Sequence, residues 1–143
     1  MTYTVVALIK RKPGITPEQF RAHYEDTHVP LLKSLVGPTF PLTHTRNYVT
    51  RSAQSTTTPA PGPGGGEDPY PPTMYMGQPS EVSYDSVTVM VWADKEAFDK
   101  FCEVFYREDV ALKMQEDEQV FLDKSFRVVY AVEEPLVTRG DGP

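Results

Sequence analysis

At 143 residues with 39% hydrophobic side chains, the chain is long enough for one domain with a real core. Its formal charge of -6 comes without any basic cluster, which argues against a nucleic-acid partner, because phosphate recognition needs Lys and Arg gathered on one face. A single cysteine, Cys102, rules out an internal disulfide or a multi-cysteine zinc site and suits a reducing compartment, the cytoplasm.

The N-terminus carries no charged leader and runs straight into a strand at Tyr3 to Lys10, ended by Arg11-Lys12-Pro13-Gly14. No apolar stretch approaches the roughly 18 residues of a membrane span. Thr16 is a good N-cap, Pro17 suits the first helical position, and Gln19 completes a capping box. The helix is expected to run to about His28, where Val29-Pro30 forces a break. Pro30 then opens a second short helix through Leu31, Leu32 and Leu35, ending near Gly37-Pro38.

Thr43 to Arg51 reads as a second strand. Residues 52–80 are different in kind: a polar run is followed by Pro59-Ala60-Pro61-Gly62-Pro63-Gly64-Gly65-Gly66, which sustains neither helix nor sheet. This is an insert within a single domain spanning 1–143. Its later part holds Tyr70, Met74, Tyr75 and Met76, and either folds back as a lid or stays disordered. Val82 to Trp92 alternates as a third strand, with Val87, Val89 and Val91 on one face and Thr88, Met90 and Trp92 on the other. Asp94 caps a helix whose stripe is Phe98, Phe101, Cys102 and Phe105, and Cys102 within it reads as an inert buried thiol. A further helix covers about Arg107 to Asp117, Phe126 to Glu133 is the last strand, and the tail from Thr138 is frayed.

The order β-α-α-β, insert, β-α-α-β predicts an α+β, ferredoxin-like layer: a four-stranded antiparallel sheet with helices on one face. The second sheet face carries either Tyr84, Thr88, Met90 and Trp92 or Thr45, Asn47 and Val49, depending on strand phase. Some of these are too apolar for water, so a homodimer that covers them is the expected consequence.

The first helix carries the unusual chemistry. Phe20, His23, Tyr24, Thr27 and His28 share one side, while Glu18, Arg21, Glu25 and Asp26 take the other. The charged side must face water, so imidazole, phenol and hydroxyl groups turn inward where a plain core helix shows Leu or Val. Each needs a partner once buried, which suits a pocket wall. His28, at the expected helix C-terminus, meets a dipole that favours its protonated form. His23 lies toward the flank, where a structural or surface role competes with a pocket one. On the second strand His44, Arg46 and Tyr48 share a face, and Arg46 suits either bidentate binding of a carboxylate or a surface ion pair. Asp85 is either a solvated strand end or a buried, partnered carboxylate. His28, His44 and Asp85 make a two-histidine, one-carboxylate metal set on paper, but their spacing is not diagnostic and no metal is expected. Gly64-Gly65-Gly66 opens no helix, so it is not a phosphate loop, and no GxSxG elbow occurs.

The stretch Phe20-Arg21-Ala22-His23-Tyr24-Glu25-Asp26-Thr27-His28-Val29-Pro30-Leu31 resembles the first-helix signature of the EthD-like dimeric α+β barrels. His44 to Val49, Tyr84 to Thr88, and Asp117 to Asp123 resemble the family's second strand, third strand and late acidic-Phe-Leu-Asp element. The resemblance implies an apolar pocket between sheet and helices, with the family's histidine matching His28. Fungal members similar to this chain sit with polyketide pathways as decarboxylases or dehydratases, and related barrels include cofactor-free monooxygenases, isomerases and cyclases. The expected function is therefore a cofactor-free lyase on an aromatic polyketide. His28, His44 and Tyr24 are its expected catalytic groups, and Arg46, Asp85, His23, Tyr48 and Trp92 contact the substrate. A non-catalytic binding barrel is the competing class.

Overall fold

The computed structural model describes residues 1–52 and 69–142. In chain order it runs β1 (Tyr3–Ile9), α1 (Pro17–His23), a π-helical turn (Tyr24–His28), α2 (Val29–Val36), β2 (Thr43–Tyr48), β3 (Ser86–Trp92), α3 (Lys95–Phe105), α4 (Glu108–Phe121) and β4 (Val128–Val132). The strands form one antiparallel sheet in the order β2-β3-β1-β4. This is the ferredoxin-like layer the element order predicts: each β-α-α-β half crosses over one intervening strand, and its helices land on a common face. No described helix is long and apolar enough to cross a membrane.

The register decides the sheet faces. Val5 lies opposite Met90, Ala7 opposite Thr88, and Arg46 opposite Thr88. The alternation then sends Thr88, Met90 and Trp92 toward the helices. There Val5 and Trp92 pack with Leu32, Val36, Phe101, Val110 and Met114 into the main core. The opposite face carries Val87, Val89 and Val91, with Thr45 and Asn47 on β2. Of the two phases the sequence allows, the one that puts Met90 and Trp92 on the open face is thus overturned. A row across that face runs Thr45, Val89, Val6, Tyr130, and Tyr130 is 46% exposed.

The expected break at Val29-Pro30 does not occur. The backbone N–H of Val29 bonds to the carbonyl of Tyr24, five residues back, and the helix continues into α2. A regular turn would drive the Pro30 ring into the carbonyl four residues before it; the wider π turn relieves that clash. It also resolves a phase problem. Positions four apart drift by about 40° per step on an α-helix. The π turn takes back part of that drift, so Phe20, Tyr24, His28, Leu32 and Val36 all stay buried.

Boundaries differ elsewhere. β2 stops at Tyr48, β3 begins only at Ser86 and β4 at Val128, while α4 runs a full turn past Asp117 to Phe121. Of the insert, residues 53–68 lie outside the described residues. Residues 70–73 pair back on 50–52 through Ser52 N–H to the Pro71 carbonyl (3.1 Å) and Thr73 N–H to the Thr50 carbonyl (2.8 Å). Tyr75 and Met76 are 94% and 89% exposed, so this later part does not close over the helix layer as a lid.

Candidate active site

The site grows from the helix start. Thr16 and Gln19 form the reciprocal capping box, Gln19 N–H to Thr16 Oγ1 at 3.1 Å and Thr16 N–H to Gln19 Oε1 at 2.9 Å. Pro17 opens the first turn. This sets the phase that buries Tyr24 and His28, whereas Thr27, expected on the same side, is exposed. A cavity of about 480 Å³ lies between the helix layer and the sheet, and Tyr24, His28, His44 and Thr88 line its polar part.

Asp117 organises the two helical histidines. Its Oδ2 lies 2.8 Å from His28 Nδ1 and its Oδ1 lies 2.8 Å from His23 Nε2. A carboxylate only accepts, so His28 carries its proton on Nδ1 and presents the lone pair of Nε2. Burial pushes the His28 pKa below its ordinary 6.5, against the upward pull of Asp117. The continuous helix also removes the terminal dipole that the sequence suggests for His28. The imidazole is therefore neutral near pH 7, the protonation state of a base.

His44 is held in the opposite sense. Arg46 Nη1 lies 3.0 Å from its Nδ1 and donates to its backbone carbonyl at 2.6 Å. A guanidinium only donates, so Nδ1 accepts and the ring proton sits on Nε2. Burial and then the Arg46 cation depress the His44 pKa to about 4. Neither His28 Nε2 nor His44 Nε2 has a hydrogen-bond partner among the described residues, and neither is sealed in the interior. The two rings thus meet the cavity as one acceptor and one donor.

Tyr24 adds a neutral phenol. Its hydroxyl lies 2.8 Å from Thr88 Oγ1, which lies 3.0 Å from Ser86 Oγ, and burial raises its pKa to about 12. Trp92 also lines the cavity, 2% exposed, with its indole N–H on the Thr39 carbonyl at 3.0 Å. Cys102 lines the apolar part, and burial pushes its thiol pKa up, so it remains a thiol.

Several expected substrate contacts are engaged elsewhere. Arg46 grips Glu25 bidentately, Nε to Oε2 at 2.9 Å and Nη2 to Oε1 at 2.7 Å, and the Tyr48 hydroxyl donates to the same carboxylate. Arg46 chiefly, through these hydrogen bonds, lowers the Glu25 pKa to about 2. Neither Arg46 nor Tyr48 lines the cavity; Arg46 orients His44, and Tyr48 braces the Glu25 carboxylate that holds Arg46. Asp85 is likewise remote. Its carboxylate takes Arg11 N–H at 2.7 Å and Arg11 Nη1 at 2.7 Å, and Arg51 Nε lies at 2.7 Å. Asp85 is buried in this charge cluster, outside the cavity lining, and does not join His28 and His44 in a metal set. No group of three His, Cys, Asp or Glu among the described residues could hold a metal ion. His23 is half-buried against Asp117 and Phe121, outside the cavity lining. Sequence reasoning missed Asp117 and Glu25 as partners; the clue available was that buried imidazoles and a guanidinium beside them each need an acceptor.

The EthD domain family matches the chain over residues 12–125. An EthD family protein of Bacillus halodurans shares the fold at 16% identity, with a TM-score of 0.51, over 94% of this chain and 100% of its own. An EthD-like protein of Ralstonia eutropha does so at 16% identity, with a TM-score of 0.53, over 99% and 97%. No curated protein matches the sequence. At that identity the two structures speak for the fold alone.

Proposed function

The chain belongs to the EthD domain family, and from that premise we propose that it is a cofactor-free lyase acting on an aromatic polyketide by dehydration or decarboxylation. One observation carries the reading. Asp117 holds His28 Nδ1 and Arg46 holds His44 Nδ1, so the two imidazoles face one cavity as a base and a hydrogen-bond donor.

In dehydration, His28 Nε2 takes the proton from the carbon beside a ketone. The electron pair moves onto the carbonyl oxygen, where the His44 Nε2 proton meets the developing charge. The β-hydroxyl then leaves as water, taking its proton from the His28 imidazolium, and the carbon–carbon double bond forms. Asp117 stabilises that imidazolium while it lasts. In decarboxylation, the bond to the carboxylate carbon breaks, carbon dioxide leaves, and the same His44 proton meets the enolate. Carbon protonation follows from His28 after it takes up a proton from water, since loss of carbon dioxide from the carboxylate consumes one. A neutral His28 near pH 7 favours the dehydration branch.

The apolar walls suit an aromatic body, and the uncovered valine face of the sheet supports a homodimer. The test is incubation with polyketide-type β-hydroxyketones and β-keto acids under argon and under air, reading water loss, carbon dioxide and oxygen uptake. Product forming equally under argon, and lost in His28→Ala, is expected. Oxygen consumption would favour a cofactor-free oxygenase instead, and binding without turnover a non-catalytic barrel. Turnover at wild-type rate in His28→Ala would reject the assignment.

A further inference from the structure

Among the described residues, the polar end of the cavity contains no free cation. His28 and His44 are neutral near pH 7, and Arg46 is engaged by Glu25. Among the described residues, Lys10, Lys124 and Arg127 line the cavity elsewhere. Lys10 Nζ faces Asp123 at 3.8 Å, and Arg127 Nη2 reaches Glu118 Oε1 at 3.2 Å. Lys124 makes no ion pair or side-chain hydrogen bond with the described residues, although it is half-buried.

The backbone around Lys124 is fixed. Asp123 N–H bonds to the Lys10 carbonyl at 2.9 Å, and Phe126 N–H bonds to the Asp123 carbonyl at 3.2 Å. The Asp123 carboxylate accepts from Ser125 N–H (3.0 Å) and Ser125 Oγ and faces Lys10, so the acid adjacent in sequence is engaged by other partners. Those Ser125 hydrogen bonds, with Lys10 beside them, hold its pKa below the ordinary carboxylate range. Between this turn and His28 the cavity wall includes Phe121 and Leu122, and the acid there, Glu118, is engaged by Arg127.

We infer that Lys124 is the anion anchor of the cavity, and that the ligand taken is an aromatic carboxylate whose ring system lies along the apolar wall. The inference deepens the lyase reading and rests on the same cavity being the ligand site. An ammonium partly removed from water gains more from an anion than an exposed lysine does, since the pair is less screened and its hydrogen bond is charge-assisted.

The test is calorimetric binding of naphthoate and of its uncharged analogue naphthamide. The wild type is expected to prefer naphthoate roughly tenfold, the scale of one hydrogen bond to a charged group. Lys124→Gln should bring the ratio close to one, and Lys124→Arg should keep it. Lys100→Gln, which removes a surface charge on the outer side of α3, should leave it unchanged. Equal binding of both probes, no binding of either, or a preference surviving in Lys124→Gln overturns the inference. A Lys124-dependent preference in a protein that turns over no candidate substrate keeps the anchor and rejects the lyase. Turnover without that preference does the reverse.

Discussion

His28 Nδ1 lies 2.8 Å from Asp117 Oδ2, although 89 positions separate the two residues in sequence. That contact decides which nitrogen of His28 meets the cavity, while burial keeps the ring neutral against the pull of the carboxylate.

Replacing Asp117 by Asn removes the charge that stabilises imidazolium while keeping the shape. The carboxylate pulls the His28 pKa upward against burial, so its loss should lower that pKa further. The tautomer is no longer enforced, because an amide can donate as well as accept. Turnover should fall roughly 10–100-fold, as for other partners that orient a working imidazole. Proton NMR of the His28 ring through a pH titration, beside the rate, checks both effects. An unmoved His28 titration would remove Asp117 from the account.

Acid should weaken the fold earlier than carboxylates alone would cause. The His44 pKa is about 4 in the fold against 6.5 ordinarily, and that of His28 is also lowered. For a depressed histidine, the unfolded chain binds the proton first. Stability is therefore complete above about pH 6.5 and declines as pH falls toward the folded value, by at most about 1.4 kcal/mol per pH unit for each group. Glu25, lowered from 4.5 to about 2, contributes stability present above pH 4.5 and lost below it. Urea unfolding from pH 7 to 4 should show the decline beginning near 6.5. In His44→Gln the upper limb should flatten. A stability constant from pH 7 to 5 would contradict the burial of both rings.

Asp85 offers a separation of structure from function. Asp85→Ala leaves Arg11 and Arg51 facing each other without their shared carboxylate, and breaking a buried pair costs about 3–5 kcal/mol. The loss should appear in urea unfolding, while the folded fraction keeps its ligand affinity. A variant that stays stable but no longer binds would restore the substrate contact that the sequence suggests.

Elements with local signatures are legible in the sequence. The Thr16–Gln19 box, the Asp94 cap and the alternation of Val87, Val89 and Val91 each depend on residues within a few positions of one another. So does the inward face of Tyr24 and His28. The π turn is not predicted, although its trace is present: a stripe with strict four-residue spacing from Phe20 to Val36 cannot stay on one side of a regular helix. The roles of Arg46 and Asp85 depend on long-range partners, Glu25 across the helix layer and Arg11 from another strand end. Asp117 falls at the expected end of α4, where nothing marks it as a partner; the added turn to Phe121 carries it against both histidines.

The open sheet face yields the last prediction. Thr45, Val89, Val6 and Tyr130 form one row across β2, β3, β1 and β4, on the side of the sheet away from the described helices. Val6 in that row is buried, but Val87, Val89 and Val91 stay partly exposed and Tyr130 is 46% exposed, and covering such apolar surface is favourable by roughly 25 cal/mol per Å². A second copy can cover the face by the same face, since a two-fold contact brings a patch onto itself. Val89→Lys puts a cation at the centre of that contact and, by symmetry, two cations against each other, while a monomer would keep the introduced ammonium in water. Analytical ultracentrifugation should show a dimer for the wild type and a monomer for the variant, with helical circular dichroism retained. The Lys124-dependent preference for naphthoate should survive if the cavity belongs to one chain, and vanish with the dimer if the second copy completes it. A wild type that sediments as a monomer at every concentration would show that this face stands against water in solution.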